Sequence, residues 1–243
     1  MAIVDLNEPA SVDELCRLGA LLGSAVPELD PVVQPYVEAG VVLNLISDDA
    51  TDEPNLAPFS TNSISLHTES SGHRADEQPR FIILMCVEPG SAPQWGQTIL
   101  VSMASVAVKL TQAQIDVLGR TYYSRLAGVG PPIVRVMAGR RVFSFRDFGG
   151  TELQWETKSQ GPPDGSDVNA ALRALLDSMY TTEPTSIRWA RGRLAVIDNS
   201  YFFHGRSRGF AQGRPRHLVR LRILSTQAFG GDKLSCHDAQ LST

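Results

Sequence analysis

A chain of 243 residues that is 42% hydrophobic and 20% charged holds enough apolar material for one large core, which excludes disorder as its main state. A formal net charge of −4 supplies no long-range attraction for a phosphate backbone and argues against nucleic acid as a partner. The cysteines Cys16, Cys86 and Cys236 are widely spaced and form no CxxC pair, which argues against a disulfide framework or a thiolate metal site and fits a reducing cytoplasm; the acidic N-terminus has no signal-peptide pattern, and no apolar run is long enough for a membrane span.

In chain order, Ser11 with Glu14 three residues later is a capping-box pattern ahead of Leu15, Leu18, Leu21 and Leu22, and predicts a helix over about 12–24. The runs GVVLNLI (40–46), SISLH (63–67) and RFIILMC (80–86) are short, β-branched and bounded by turn residues, and predict strands. Thr111 with Gln114 repeats the capping pattern before a helix of about ten residues. Two further strands are expected at PIVRVM (132–137) and RVFSFR (141–146), then a helix from Ser166 to Met179 with Val168, Leu172, Leu175 and Met179 on one face. RLAVID (193–198) and HLVRLRIL (217–224) complete the strands, and the polar segments 48–55 and 160–167 read as surface loops. Many short strands, few helices and no βαβ alternation indicate an antiparallel sandwich or barrel with helices packed on one side. One domain over 1–243 is expected, with a helical cover at 11–40, a β core at 41–225 and a tail at 226–243.

Strand side chains alternate, so in SLHTES the side chains of His67 and Glu69 project to one side while Thr68 points away. His204, after the strand 193–198 and a turn at Asp198, Asn199 and Ser200, is a third candidate ligand. Two imidazoles and a carboxylate leave three positions open on an octahedral metal, the arrangement that suits ferrous iron in oxygenases. The same donors also serve catalytic zinc in hydrolases, and the histidines of a cupin-like binding protein can be purely structural. His73 in a polar loop, His217 on an apolar strand face and His237 in the tail are read as structural. In RHLVRLRIL the even positions Arg216, Arg220 and Arg222 form a basic face, which either meets carboxylates or faces solvent at a sheet edge.

The ordered set LHTES, Gln97-Thr98-Ile99-Leu100, RLAVIDNSYFFHGRSRGF and RPRHLVRLRI resembles the clavaminate synthase-like branch of the 2-oxoglutarate dioxygenases, related to taurine dioxygenase and including arginine hydroxylases of antibiotic pathways. The likeness spans roughly residues 40–225. It implies a mostly β fold with flanking helices around a double-stranded β-helix, the jelly-roll, cupin-like core. It also implies that His67, Glu69 and His204 hold Fe(II), that Thr98 and Arg216 grip the distal carboxylate of 2-oxoglutarate, and that Arg220 meets the substrate carboxylate. The implied reaction consumes O₂ and 2-oxoglutarate, releases succinate and CO₂, and oxidises a small molecule by hydroxylation, with desaturation or ring closure as variants. Glu69 in the ligand set speaks against a halogenase, where a small residue opens a halide site. The implied substrate is an amino acid or a derivative of one, free or tethered to a carrier protein. Two features depart from the family pattern: the spacing 216 − 204 = 12 is short, and about 66 residues precede His67, so part of the usual substrate cover is expected to be missing or supplied by another chain. The segment 134–148 carries Arg135, Arg140, Arg141 and Arg146 against Asp147 alone, and reads as a solvated hairpin or, if functional, as a site for an anionic substrate or carrier.

Overall fold

The computed structural model describes residues 1–47, 54–123, 130–147, 155–157, 165–210 and 212–225. Its strands are β1 (Ala2–Asp5), β2 (Ser24–Ala25), β3 (Val37–Glu38), β4 (Val42–Ser47), β5 (Ile64–His67), β6 (Phe81–Glu88), β7 (Thr98–Ser102), β8 (Thr121–Tyr123), β9 (Val134–Met137), β10 (Arg140–Phe143), β11 (Trp155–Thr157), β12 (Thr185–Ile187), β13 (Arg193–Asp198), β14 (Phe202–Arg206) and β15 (Arg216–Leu224). The helices are α1 (Val12–Leu22), α2 (Met103–Ala107), α3 (Gln112–Leu118) and α4 (Gly165–Thr181). A larger antiparallel sheet runs β1-β13-β6-β15-β4-β3, with β2 on the end of β15, and a smaller one runs β12-β7-β14-β5. These two sheets form the double-stranded β-helix; β9–β10 and β8–β11 are separate two-stranded ribbons.

Burial on both faces explains why the strand sequences are nearly continuous in apolar residues. Along β6, Ile82, Leu84 and Cys86 point between the sheets, where they meet Leu218 of β15, Leu100 and Ile187 from the smaller sheet, and Trp189 just beyond β12. The alternate residues Ile83 and Met85 join Val219, Leu221 and Ile223 of β15 under Leu15 of α1. The outer face of the smaller sheet carries Leu66, Val101 and Phe203, covered by Val106, Leu118, Leu172, Leu175 and Met179 from α2, α3 and α4. Each fully buried side chain of this size contributes roughly 1.5–3 kcal/mol, so helices on both outer faces fix which strand faces remain for the site.

Both capping boxes form. The Ser11 hydroxyl accepts from the Glu14 amide at 3.3 Å and the Glu14 carboxylate accepts from the Ser11 amide at 2.7 Å; the reciprocal pair at Thr111 and Gln114 measures 3.3 and 2.8 Å. Within 11–40, α1 is accompanied by the short strands β2 and β3, which join the larger sheet, and before it β1 pairs with β13 at the sheet edge. His204 follows β13 and the turn at Asp198, Asn199 and Ser200, as expected, and lies on a further strand, β14. Most of 48–55 and 160–167, and the tail 226–243 with His237, lie outside the described residues. No helix among the described residues is long and apolar enough to cross a membrane.

Candidate active site

β5 and β14 bring the three proposed ligands together. His67 closes β5 and is the register partner of His204 on β14. Their rings lie 4.2 Å apart between centroids. The apolar neighbours Leu66 and Phe203 point outward under the helices, so strand alternation turns both imidazoles into the space between the sheets. Glu69 follows two residues after His67, and its Oε2 is 3.8 Å from His204 Nε2. Donor atoms from His67, Glu69 and His204 all lie within 4.8 Å of one another.

The surroundings fix this geometry. The Asn199 side chain accepts from the Glu69 amide at 2.8 Å and donates to the Glu69 carbonyl at 3.1 Å and to Pro79 at 2.8 Å, locking the backbone from which the carboxylate projects. His67 Nδ1 donates to the Ser65 carbonyl at 2.8 Å, which sets the tautomer that leaves Nε2 as a lone-pair donor. Burial and the neighbouring His204 push the His67 imidazole down to about 3, so it is neutral at ordinary pH. Burial alone would raise the Glu69 carboxyl, but the Arg220 guanidinium, His204 and Arg222 outweigh it and hold the group well below the usual carboxylate range. Two imidazoles, one of them held neutral, and one carboxylate, converging within a few ångströms, fit an octahedral divalent metal such as Fe(II) on the chemistry of the donor set. His204 turns its Nε2 toward Glu69, and its Nδ1 is buried without a hydrogen-bond partner among the described residues.

Arg216 opens β15 on the same face as Arg220, four residues and about 13 Å along the strand at roughly 3.3 Å per residue. Its guanidinium donates to the Gly96 carbonyl and to Ser47 Oγ at 3.2 Å. Among the described residues no carboxylate pairs with it, and burial pushes it down to about 10. Gly96 has φ +64°, and a Cβ there would lie 3.1 Å from Arg216 Nη1, so glycine permits the approach of this turn to the guanidinium. Two residues on, Thr98 is buried at the start of β7, and its hydroxyl accepts from Trp189 Nε1 at 3.2 Å, leaving its own proton to donate. A recess beside Arg216 is lined by Ser47, Thr61, Trp95, Gly96 and Arg206. Arg206, pushed down to about 9 by burial and by Arg216, spends its donors on the carbonyls of Ala57, Pro58 and Asn62.

Arg220 is already engaged. It reaches Glu28 at 3.0 Å and Glu69 at 3.3 Å, while Arg222 reaches the same two carboxylates at 2.8 and 3.4 Å. The basic face of β15 therefore looks into the space between the sheets and not into solvent. Glu28 was not among the expected site residues; no motif surrounds it, and only its burial at 4% exposure marks it. In the cationic segment 134–148, Arg140 stacks on the Tyr201 ring at 3.6 Å, Arg141 donates to Gln112 at 2.7 Å, Arg135 donates to Ser144 and Gln78, and Arg146 bridges His67 across the strands. His217 has its Nε2 2.7 Å from Asn44 Oδ1 and His73 Nδ1 lies 3.9 Å from Glu77, and neither belongs to the converging group of His67, Glu69 and His204.

A double-stranded β-helix with two histidines on adjacent strands and a glutamate just beyond one of them defines a class of metal-dependent oxygenase folds. The chain belongs to the taurine catabolism dioxygenase TauD/TfdA family, whose sequence model matches residues 4–222. No curated protein matches the chain by sequence. Among solved structures, an asparagine oxygenase in complex with Fe(II), 2S,3S-3-hydroxyasparagine and succinate is similar at 18% identity with a TM-score of 0.65, covering 87% of this chain and 64% of that one. The non-haem iron oxygenase OrfP in complex with Fe and α-ketoglutaric acid matches at 18% identity and a TM-score of 0.65, covering 87% and 63%. PvcB from Pseudomonas aeruginosa matches at 23% identity and a TM-score of 0.61, covering 88% and 71%. The chain thus spans less than two thirds of the length of the asparagine oxygenase and OrfP structures.

Proposed function

We propose that this chain is a non-haem iron(II), 2-oxoglutarate- and O₂-dependent oxygenase that hydroxylates an amino acid or an amino-acid-derived small molecule. The observation that carries the reading is the convergence of His67, at the end of β5, Glu69, just beyond it, and His204 of β14 within 4.8 Å. Bound iron would supply O₂ activation coupled to decarboxylation of 2-oxoglutarate to succinate. The protein's own residues do the rest. His67, Glu69 and His204 hold and orient the metal on one side, and Asn199 keeps the Glu69 backbone in place. Arg216, which no carboxylate pairs among the described residues, and Thr98 take the distal carboxylate of 2-oxoglutarate, with Trp189 fixing the rotor of Thr98. The apolar walls from Leu100, Leu218 and Trp189 exclude water from that end. Arg220, at the metal end of the same strand face, is assigned to the substrate side, where an incoming carboxylate would share it with Glu28.

The buried, carboxylate-free Arg216 favours this reading over a zinc hydrolase, which has no general need of a dicarboxylate cosubstrate. It also favours it over a cupin-like binding protein with structural histidines. The relatives whose structures are similar act on or contain asparagine- and arginine-derived ligands, as in the 3-hydroxyasparagine complex of the asparagine oxygenase and the (3S)-hydroxy-L-Arg complex of OrfP. PvcB is described as belonging to an isonitrile synthetic pathway. On that basis the substrate is read as an amino acid, free or on a carrier protein, in secondary metabolism. Placement in the cytoplasm is part of the same proposal and rests on the unpaired Cys16 and buried Cys86. The test is succinate formation from 2-oxoglutarate with Fe(II), screened over free and carrier-bound amino acids. Stimulation by one substrate class with matching O₂ uptake is expected, and turnover that proceeds without 2-oxoglutarate would overturn the assignment.

A further inference from the structure

Glu28 comes from the N-terminal segment, outside the ligand set, and is one of the few buried carboxylates among the described residues. Its backbone is tied down on both sides: its amide donates to the Gly40 carbonyl at 3.0 Å, and its carbonyl accepts from the Gln34 side chain. Its two carboxylate oxygens each take one guanidinium, Oε1 from Arg220 at 3.0 Å and Oε2 from Arg222 at 2.8 Å. The same two arginines reach Glu69 through their other terminal nitrogens, at 3.3 and 3.4 Å, both onto Oε1. Glu69 Oε2 is left facing His204 Nε2 at 3.8 Å.

The cluster is balanced, two guanidinium groups against two carboxylates, and both arginines sit closer to Glu28 than to the ligand Glu69. We infer that Glu28 is the counter-anion of Arg220 and Arg222, a positioning residue that leaves the Glu69 carboxylate available to a metal ion. The inference rests on the metal reading of the His67–Glu69–His204 site. The reason is electrostatic. Without the Glu28 charge, two buried cations would face a single carboxylate, and in a medium of low effective dielectric they would close on Glu69 and compete with a divalent cation for it. With Glu28 present, each arginine has a nearer anion, one Glu69 oxygen is steadied, and the other is directed at the site. Substitutions of groups that orient a metal ligand typically cost 10- to 100-fold in metal affinity, which sets the scale of the effect.

The experiment is calorimetric titration of the metal-free full-length protein with Co(II), an octahedral stand-in for Fe(II), with folding checked by circular dichroism at the titration temperature. E28Q is isosteric and should bind Co(II) about tenfold more weakly or worse. E28Q/R222Q restores one arginine to one carboxylate and should recover most of that loss, which mere disruption of packing would not do. R222Q alone, which leaves Arg220 between two carboxylates, should bind at least as tightly as the wild type, and it decides the matter if E28Q does not fold. Wild-type affinity in E28Q, a double variant no better than E28Q, or weakened binding in R222Q would each overturn the inference while leaving the metal reading intact. A wild-type protein that binds no Co(II) would overturn the metal reading and the inference together.

Discussion

His67 and His204 are direct cross-strand partners on β5 and β14, so the two imidazoles share one rung of one sheet. Replacing either by Ala removes a ligand and is expected to abolish Fe(II) binding and all turnover while the metal-free protein stays folded. Equilibrium dialysis with Fe(II) under anaerobic conditions checks this. Retention of bound iron in either variant would refute the ligand assignment.

Gly205 lies between the proposed ligand His204 and Arg206, and a Cβ at that position would come within 2.6 Å of the Ile64 carbonyl on β5. Gly205→Ala should therefore push β5 away from β14. We expect a loss of about 1–3 kcal/mol in stability, the usual cost of forced overpacking. Weaker metal binding should accompany it, because His67 moves with β5. Denaturant unfolding and metal titration of the same variant give both numbers.

Arg216→Ala should weaken 2-oxoglutarate binding by about 2–5 kcal/mol, the range for truncating one side of a buried charge pair. Thr98→Val should cost near the roughly 1 kcal/mol of one hydrogen bond. Anaerobic 2-oxoglutarate titration of the metal-loaded variants measures the two losses separately, and an unchanged affinity in Arg216→Ala rules out the cosubstrate assignment.

For Arg220→Ala, metal and 2-oxoglutarate should still assemble, because Arg222 remains to pair with Glu28. The substrate would no longer be aligned, and misplacement by about 1 Å can cost roughly a hundredfold in rate. Succinate formation should persist while hydroxylated product falls. A variant that loses stability yet keeps its normal ratio of product to succinate would show Arg220 to be structural only.

Cys86 is fully buried, and burial pushes its thiol up to about 12 from 9.0. Between those values the native state keeps a proton that the unfolded chain loses, so the Cys86 contribution to stability falls as pH rises from about 9 towards 12, by roughly 1.4 kcal/mol at pH 10. Urea unfolding at pH 8 and pH 10 should show this contribution as the difference in pH dependence between the native sequence and Cys86→Ala. In the native protein Cys86 should also resist alkylation that reaches it once the chain unfolds.

The elements with local signals were legible in the sequence. The capping boxes at Ser11 and Thr111 placed α1 and α3 at their first residue, and the apolar runs placed β6, β13 and β15 to within two residues. The spacing of His67 and Glu69 carried half of the site. Short edge elements such as β1 and β12 were not legible, since strands of three or four residues owe their conformation to a partner distant in sequence. The engagement of Arg220 and Arg222 was hidden for the same reason: Glu28 lies 192 residues from Arg220, and nothing near Glu28 marks it as buried. The basic face of β15 was visible, but the carboxylates that answer it were not.

The two histidines of the site are separated by 204 − 67 = 137 residues, and they meet only when β14 docks beside β5. Pairings this remote carry a large loop-closure entropy and are intrinsically slow to form, so the site belongs to a late stage of folding. On the proposed ligand assignment, a chain with only its local elements in place holds no ligand set, and iron should bind the finished sheet and none of its precursors. Iron uptake during refolding should lag the recovery of secondary structure, and metal in excess of its dissociation constant should slow global unfolding by mass action.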